Sequence, residues 1–184
     1  SNNAKDDIDK LCESTFLKGF RPMIHDIQDD AWMLKDNLKE NIKYLNEKNL
    51  TFDALVRPNH LKHLIQFVKK YDFLPIVIDH IAKPVIIKSE IDQWKKDMTE
   101  LSKASNVFCK FSGVLTEVGP DYKKEQLDPY IDFILNIFGS DKLMWGSDWP
   151  VLTMADNYSN WFDLAMNYCN SFSHDEKNKI FYQN

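Results

Sequence analysis

Five short runs rich in β-branched and aromatic residues, each followed by a longer amphipathic stretch, constrain this chain more than any other feature. The runs cover residues 16–24, 51–56, 74–78, 107–111 and 142–145. The stretches between them carry apolar residues at helical spacing, which is the pattern of repeated βα units on a parallel sheet. The first helix is expected to open at Asp29 or Asp30, either of which can serve as N-cap, and to carry Trp32, Leu34, Leu38, Ile42 and Leu45. The second opens at Pro58 and carries Leu61, Leu64, Ile65 and Val68. Later helices are expected over 89–103, 125–138 and 158–169, and a further one over 6–16 precedes the first strand.

The chain is 184 residues long and 43% hydrophobic, enough for one domain with a sizeable core. A complete (β/α)8 barrel takes about 250 residues. Five units therefore make either an open α/β sheet or part of a barrel. Net charge is -5, from 28 acidic and 23 basic residues, with the basic ones spread along the chain. That argues against nucleic acid and anionic membrane as partners. No apolar run approaches the about 20 residues that span a bilayer, and the polar first ten residues resemble no signal peptide; the expectation is a cytoplasmic protein. Cys12, Cys109 and Cys169 are far apart and show no CxxC or zinc-knuckle spacing, so they read as reduced thiols rather than as a disulfide or structural zinc framework.

Function in parallel βα folds gathers where strands run into loops at the C-terminal edge of the sheet. Arg21, Arg57, His80, Lys110 and Asp148 occupy such positions, spaced by 36, 23, 30 and 38 residues. Parallel strands are buried on both faces, and an unpaired charge there costs several kcal/mol. Five such residues in register point to a shared cavity, with a structural ion-pair network as the alternative. His80 suits a metal ligand or general acid/base, or a buried hydrogen-bonding cap. Asp148, in Gly-Ser-Asp-Trp-Pro, suits a general base or metal ligand, or a turn residue capping its own backbone. Arg21 and Arg57 offer forked donors for a carboxylate or polyhydroxy substrate, or ion pairs with Asp53, Asp79 or Asp148. Lys110 can hold an oxyanion or substrate hydroxyl, or neutralise Asp148. His25 and Trp149 can reach the mouth of the same cavity. His60 and His63 read as solvated helix residues. No phosphate-binding glycine loop and no GxSxG elbow is present.

Five segments taken in order resemble the amidohydrolase-related family: Gly-Phe-Arg-Pro-Met-Ile at 19–24, Leu-Val-Arg-Pro at 55–58, Asp-His-Ile-Ala-Lys-Pro at 79–84, Cys-Lys-Phe-Ser-Gly at 109–113 and Gly-Ser-Asp-Trp-Pro-Val at 146–151. Within it they are most similar to the sugar-acid lactonase branch of L-fuconolactonase and L-rhamnonolactonase type. The resemblance implies a single domain over 1–184 that forms the C-terminal part of a TIM barrel, about strands four to eight, with the earlier units preceding residue 1. It also implies a hydrolase that opens a sugar-acid lactone, with Asp148 and His80 catalytic and Arg21, Arg57, Lys110, His25 and Trp149 binding substrate. His80 and Asp148 match two ligands of a divalent metal, zinc foremost, whose His-x-His pair has no counterpart in this sequence. A homo-oligomer fits the same picture. The alternatives are a metal-dependent decarboxylase of the same superfamily and a non-catalytic acid-binding or assembly module.

Overall fold

The computed structural model describes residues 4–184. Helix α1 (Ala4–Leu11) precedes strand β1 (Gly19–Phe20). Then follow α2 (Lys39–Glu47), β2 (Thr51–Ala54), α3 (Leu61–Lys70), β3 (Ile76–Ile78), α4 (Asp92–Ser102), β4 (Val107–Phe111), α5 (Lys124–Lys142), β5 (Leu143–Trp145), α6 (Tyr158–Tyr168) and α7 (His174–Asn178). The five strands form one parallel sheet in the order β1-β2-β3-β4-β5.

That order separates the two architectures left open by the sequence. A doubly wound open sheet reverses its strand order at a switch point and carries helices on both faces. Here each strand pairs with the next in sequence and the order never reverses, so right-handed crossovers bring successive helices to the same face. Side-chain contacts agree: Phe67 of α3 lies 4.7 Å, ring to ring, from Phe52 of β2, and Trp161 of α6 lies 5.2 Å from Phe111 of β4. Phe52, Ala54, Ile76, Ile78, Cys109, Phe111 and Leu143 are buried on this helix-covered face. The residues that alternate with them on β2 and β4, among them Asp53, Phe108 and Lys110, are half-buried on the other face. The sheet is an arc of a (β/α) barrel, helices outside and polar strand ends inside.

The described elements depart from the expected ones mainly near the N-terminus. The run at 16–24 keeps only Gly19–Phe20 as strand, because Pro22 offers no N–H to a ladder and its carbonyl instead accepts from Ile24 at 2.9 Å. The helix expected from Asp29 or Asp30 begins only at Lys39. Asp29 Oδ1 accepts from the Ala31 N–H in a turn, two short 3-10 segments follow, and Lys35 between them is extended. The expected start of α4 at 89 moves to Asp92, since Ser89 sits at φ 55°. Helix α7 was not anticipated; Ser173 caps it, its Oγ accepting from the Glu176 N–H while Glu176 accepts from the Ser173 N–H. All three cysteines are free, with Cys109 and Cys169 buried. Among the described residues no helix is long and apolar enough to cross a membrane.

Candidate active site

His80 is presented by an unusual piece of backbone. After β3 and Asp79 the chain takes four consecutive left-handed residues, His80, Ile81, Ala82 and Lys83, with φ between 46° and 62°. Each such non-glycine residue costs about 1–2 kcal/mol, and a β-branched one such as Ile81 is rare there. The turn persists because its surroundings over-determine it. Lys83 N–H donates to the His80 carbonyl at 2.8 Å, Trp94 Nε1 donates to the Ile81 carbonyl at 3.0 Å, and Ile81 and Ala82 are fully buried.

The imidazole that results is buried, its side chain 11% exposed, and held on two sides. Its Nδ1 lies 2.8 Å from Ser112 Oγ, and its Nε2 faces Asp148 Oδ1 at 3.5 Å. The serine hydroxyl can donate or accept. It therefore supports the ring either with an N–H facing Asp148 or with a bare Nε2 lone pair. Gly113, at φ +64°, makes room: a Cβ there would lie 2.7 Å from both Cβ and Cγ of His80. Burial pushes the His80 pKa down to about 4; the Asp148 carboxylate opposes this, while Lys83, Lys110 and Arg21 add to it. At neutral pH the ring is uncharged, fit to hold a proton at one nitrogen or ligate a cation.

Asp148 reaches its place from β5 through Gly146 and Ser147. Trp161 Nε1 fixes the Gly146 carbonyl at 2.9 Å, and Asp148 itself adopts φ 57°, its carbonyl accepting from the Leu152 N–H at 2.9 Å. Its side chain is 13% exposed. The Trp149–Pro150 peptide that follows is cis, and Trp149 stands 68% exposed.

Beside this pair lies a charge network that crosses four strands. Asp79, wholly buried, contacts Lys110 Nζ through Oδ1 at 2.7 Å and Arg21 Nη1 through Oδ2 at 3.8 Å. Lys110 also contacts Asp53 Oδ2 at 2.5 Å, and Thr51 Oγ1 donates to Asp53 Oδ1 at 2.9 Å. Burial raises the Asp79 pKa, and only in part do the nearby cations counter it. For Lys110 burial works against the charge, yet the Asp53 and Asp79 carboxylates outweigh it and hold the pKa above its ordinary value.

The sequence-predicted residues thus divide. His80 and Asp148 face each other, and Lys110 and Arg21 join through Asp79. Lys110 neutralises Asp53 and Asp79, not Asp148, because its strand register sets it beside those two carboxylates. Arg57 is exposed past the end of β2, its N–H donating to His60 Nδ1 at 3.1 Å. His25 is anchored to the end of β2 by its own N–H, which donates to the Leu55 carbonyl at 3.0 Å, and its Nε2 lies 3.1 Å from Asp26 Oδ1. His60 is not solvated: it is 1% exposed, and burial lowers its pKa against the pull of Asp30. The alternative of an Arg21–Asp79 ion pair is the one found, whereas the pairing of Lys110 with Asp53 and Asp79 and the supporting roles of Ser112 and Gly113 were not expected from the sequence. Asp53 was readable, as a carboxylate inside a strand run.

His80 and Asp148 also pass a test for a metal. Two ligands about 2.0–2.1 Å from one tetrahedral zinc lie about 3.3–3.4 Å apart, close to the 3.5 Å between His80 Nε2 and Asp148 Oδ1. An imidazole whose other nitrogen is hydrogen-bonded is the usual ligand arrangement. Among the described residues no group of three or more His, Cys, Asp and Glu can hold a metal. By itself the pair offers two donors, one fewer than the three protein ligands of a catalytic zinc site.

A model of the amidohydrolase family matches residues 2–184. The chain belongs to the amidohydrolase family. It is 39% identical over 175 residues to an L-fucono-1,5-lactonase of Burkholderia ambifaria, covering 94% of this chain and 60% of that protein. With an L-fucono-1,5-lactonase of Burkholderia multivorans it shares 28% identity over 170 residues, covering 85% of this chain and 57% of that one. The chain thus spans about 60% of the length of these relatives. Crystal structures of an amidohydrolase from Burkholderia multivorans superpose at TM-scores of 0.89 with bound HEPES and 0.85 with bound zinc, at 26% and 27% identity, and cover 98% and 96% of this chain and 67% of theirs.

Proposed function

We propose that this amidohydrolase opens a sugar-acid lactone of the L-fucono-1,5-lactone type with an activated water. The observation that carries the reading is the juxtaposition of His80 Nε2 and Asp148 Oδ1, 3.5 Å apart on side chains only 11% and 13% exposed, with Ser112 Oγ 2.8 Å from the other ring nitrogen. A water bound beside the two atoms meets a carboxylate able to take its proton as its oxygen attacks the lactone carbonyl carbon. His80, neutral at working pH, steadies the charge that develops on the carbonyl oxygen. When the ring C–O bond breaks, the proton on Asp148 passes to the departing ring oxygen, and the product is the open hydroxy acid. A divalent metal, zinc foremost, would be held by His80 and Asp148 with a third donor from outside the described residues; it would supply a more acidic water and a polarised carbonyl. Names of relatives and the zinc-bound neighbour support this reading. Arg21, Arg57 and His25 would supply donors, and Trp149 a flat apolar face, for the hydroxyls and ring of the sugar acid. Lys110 is better suited to holding Asp79 than to touching substrate.

The test is Asp148→Asn and His80→Asn in the intact protein, with opening of L-fucono-1,5-lactone followed by proton release above the spontaneous rate. Each substitution is expected to lower kcat by about 10²–10⁴-fold. Unchanged turnover in Asp148→Asn would remove the base from the scheme. Carbon dioxide release from an unsaturated acid, without lactone opening, would move the reaction to decarboxylation.

A further inference from the structure

The Asp-His-Ile-Ala-Lys-Pro segment contains a lysine that the lactonase reading leaves unused. Lys83 ends the left-handed turn that begins at His80, and its Nζ is in direct ionic contact with Glu117 Oε1. Both side chains are enclosed, at 14% and 15% exposure, so the pair is shielded from water as most ion pairs of this protein are not. Glu117 belongs to the short 3-10 segment Leu115–Glu117 that follows Ser112 and Gly113. The two ends of the contact thus sit on the loops after β3 and β4, the same loops that supply His80 and its partner Ser112. Lys83 is spoken for by Glu117, so it is poorly placed to offer its charge to a substrate carboxylate.

We propose that Lys83 and Glu117 are positioning residues: their ion pair ties the strained turn 80–83 to the β4 loop and so keeps the His80 ring between Ser112 and Asp148. Three features of the turn point to a need for such a tie. Its backbone is held internally by one hydrogen bond, Lys83 N–H to the His80 carbonyl. Trp94 holds its middle through the Ile81 carbonyl. Among the ion pairs and hydrogen bonds of the described residues, Lys83–Glu117 is the one that joins its far end to the loop that carries Ser112, and a ring seated against Gly113 tolerates little relative drift of those two loops.

The inference rests on the lactonase reading for its kinetic readout only. The experiment is a charge-swap cycle in the intact protein: Lys83→Met, Glu117→Gln, and the double exchange Lys83→Glu with Glu117→Lys. The first readout is amide hydrogen exchange at Ala82 and Lys83, with β2 and β5 as internal references. The second is the division of any lactonase loss between kcat and KM. Each single variant is expected to speed exchange at Ala82 and Lys83 about tenfold or more while the reference strands stay unchanged. Each is also expected to lower kcat about tenfold or more with KM nearly constant, and the exchange of charges should recover most of both. Should Lys83→Met not fold, Glu117→Gln carries the same reading with the smaller change. Unaltered exchange at the turn, or a kcat loss that the swap does not recover, overturns the proposal. Faster exchange recovered by the swap, in a protein whose wild type opens no lactone, would uphold the tie and reject the substrate.

Discussion

The site depends on individual residues that have no substitute. Gly113 is one: its φ of +64° and the 2.7 Å a Cβ would leave to His80 mean that Gly113→Ala must displace the imidazole or the loop. The expected cost is about 1–3 kcal/mol in urea denaturation, with activity falling further than stability because the ring moves off Asp148. His60, outside the His80–Asp148 pair, matters to stability instead. Its Nδ1 accepts the Arg57 N–H at 3.1 Å, and burial lowers its pKa below the ordinary 6.5. The folded protein therefore keeps His60 neutral where the unfolded chain would protonate it. Its contribution is complete above pH 6.5 and is lost as pH falls through the folded value. His60→Asn, which retains an acceptor near the Nδ1 position, should flatten the fall in stability between pH 7.5 and 5.5 relative to wild type. Parallel pH profiles for the two proteins would refute it.

At the scale of elements, the strand ends are joined by charge as well as by ladder bonds. Lys110 of β4 reaches Asp53 of β2 and Asp79 at the end of β3, and Arg21 after β1 approaches the same Asp79. Asp79 has no exposure, so removing its principal cation leaves a buried carboxylate with only the more distant Arg21, at 3.8 Å, to offset it. Lys110→Met is expected to destabilise by about 3 kcal/mol or more. Lys110→Met with Asp79→Asn should recover much of that loss, because the amide carries no charge to strand; a double mutant no more stable than the single would show that Lys110 acts by packing. The sequence made Lys110 legible as an ionisable residue in a buried strand. It did not reveal the partner, since pairing follows from the register that sets Val77 opposite Asp53 and Lys110 one step beyond the Ile78–Cys109 pair.

For the molecule as a whole, the strand order makes an arc with two ends. Among the described residues β1 pairs with β2 alone and β5 with β4 alone, and the face bearing Phe108 and Lys110 is only half-buried. A polypeptide of these 184 residues expressed by itself should therefore self-associate. Sedimentation velocity is expected to show mass rising with concentration, and a monomer at all concentrations would count against the open edges. The sequence alone determined the number of βα units, the strand-end positions of His80, Lys110 and Asp148, and the family, because apolar periodicity and short motifs are local properties. It overextended β1 and the helix after Asp29, where Pro22 and an Asx turn outweigh periodicity. Only the tertiary structure decided that the sheet runs on without reversal, that Lys110 serves Asp79 rather than Asp148, and that His60 is buried. Those outcomes depend on which chain segments meet, and burial, not sequence spacing, sets both the cost of a charge and the partner it must find.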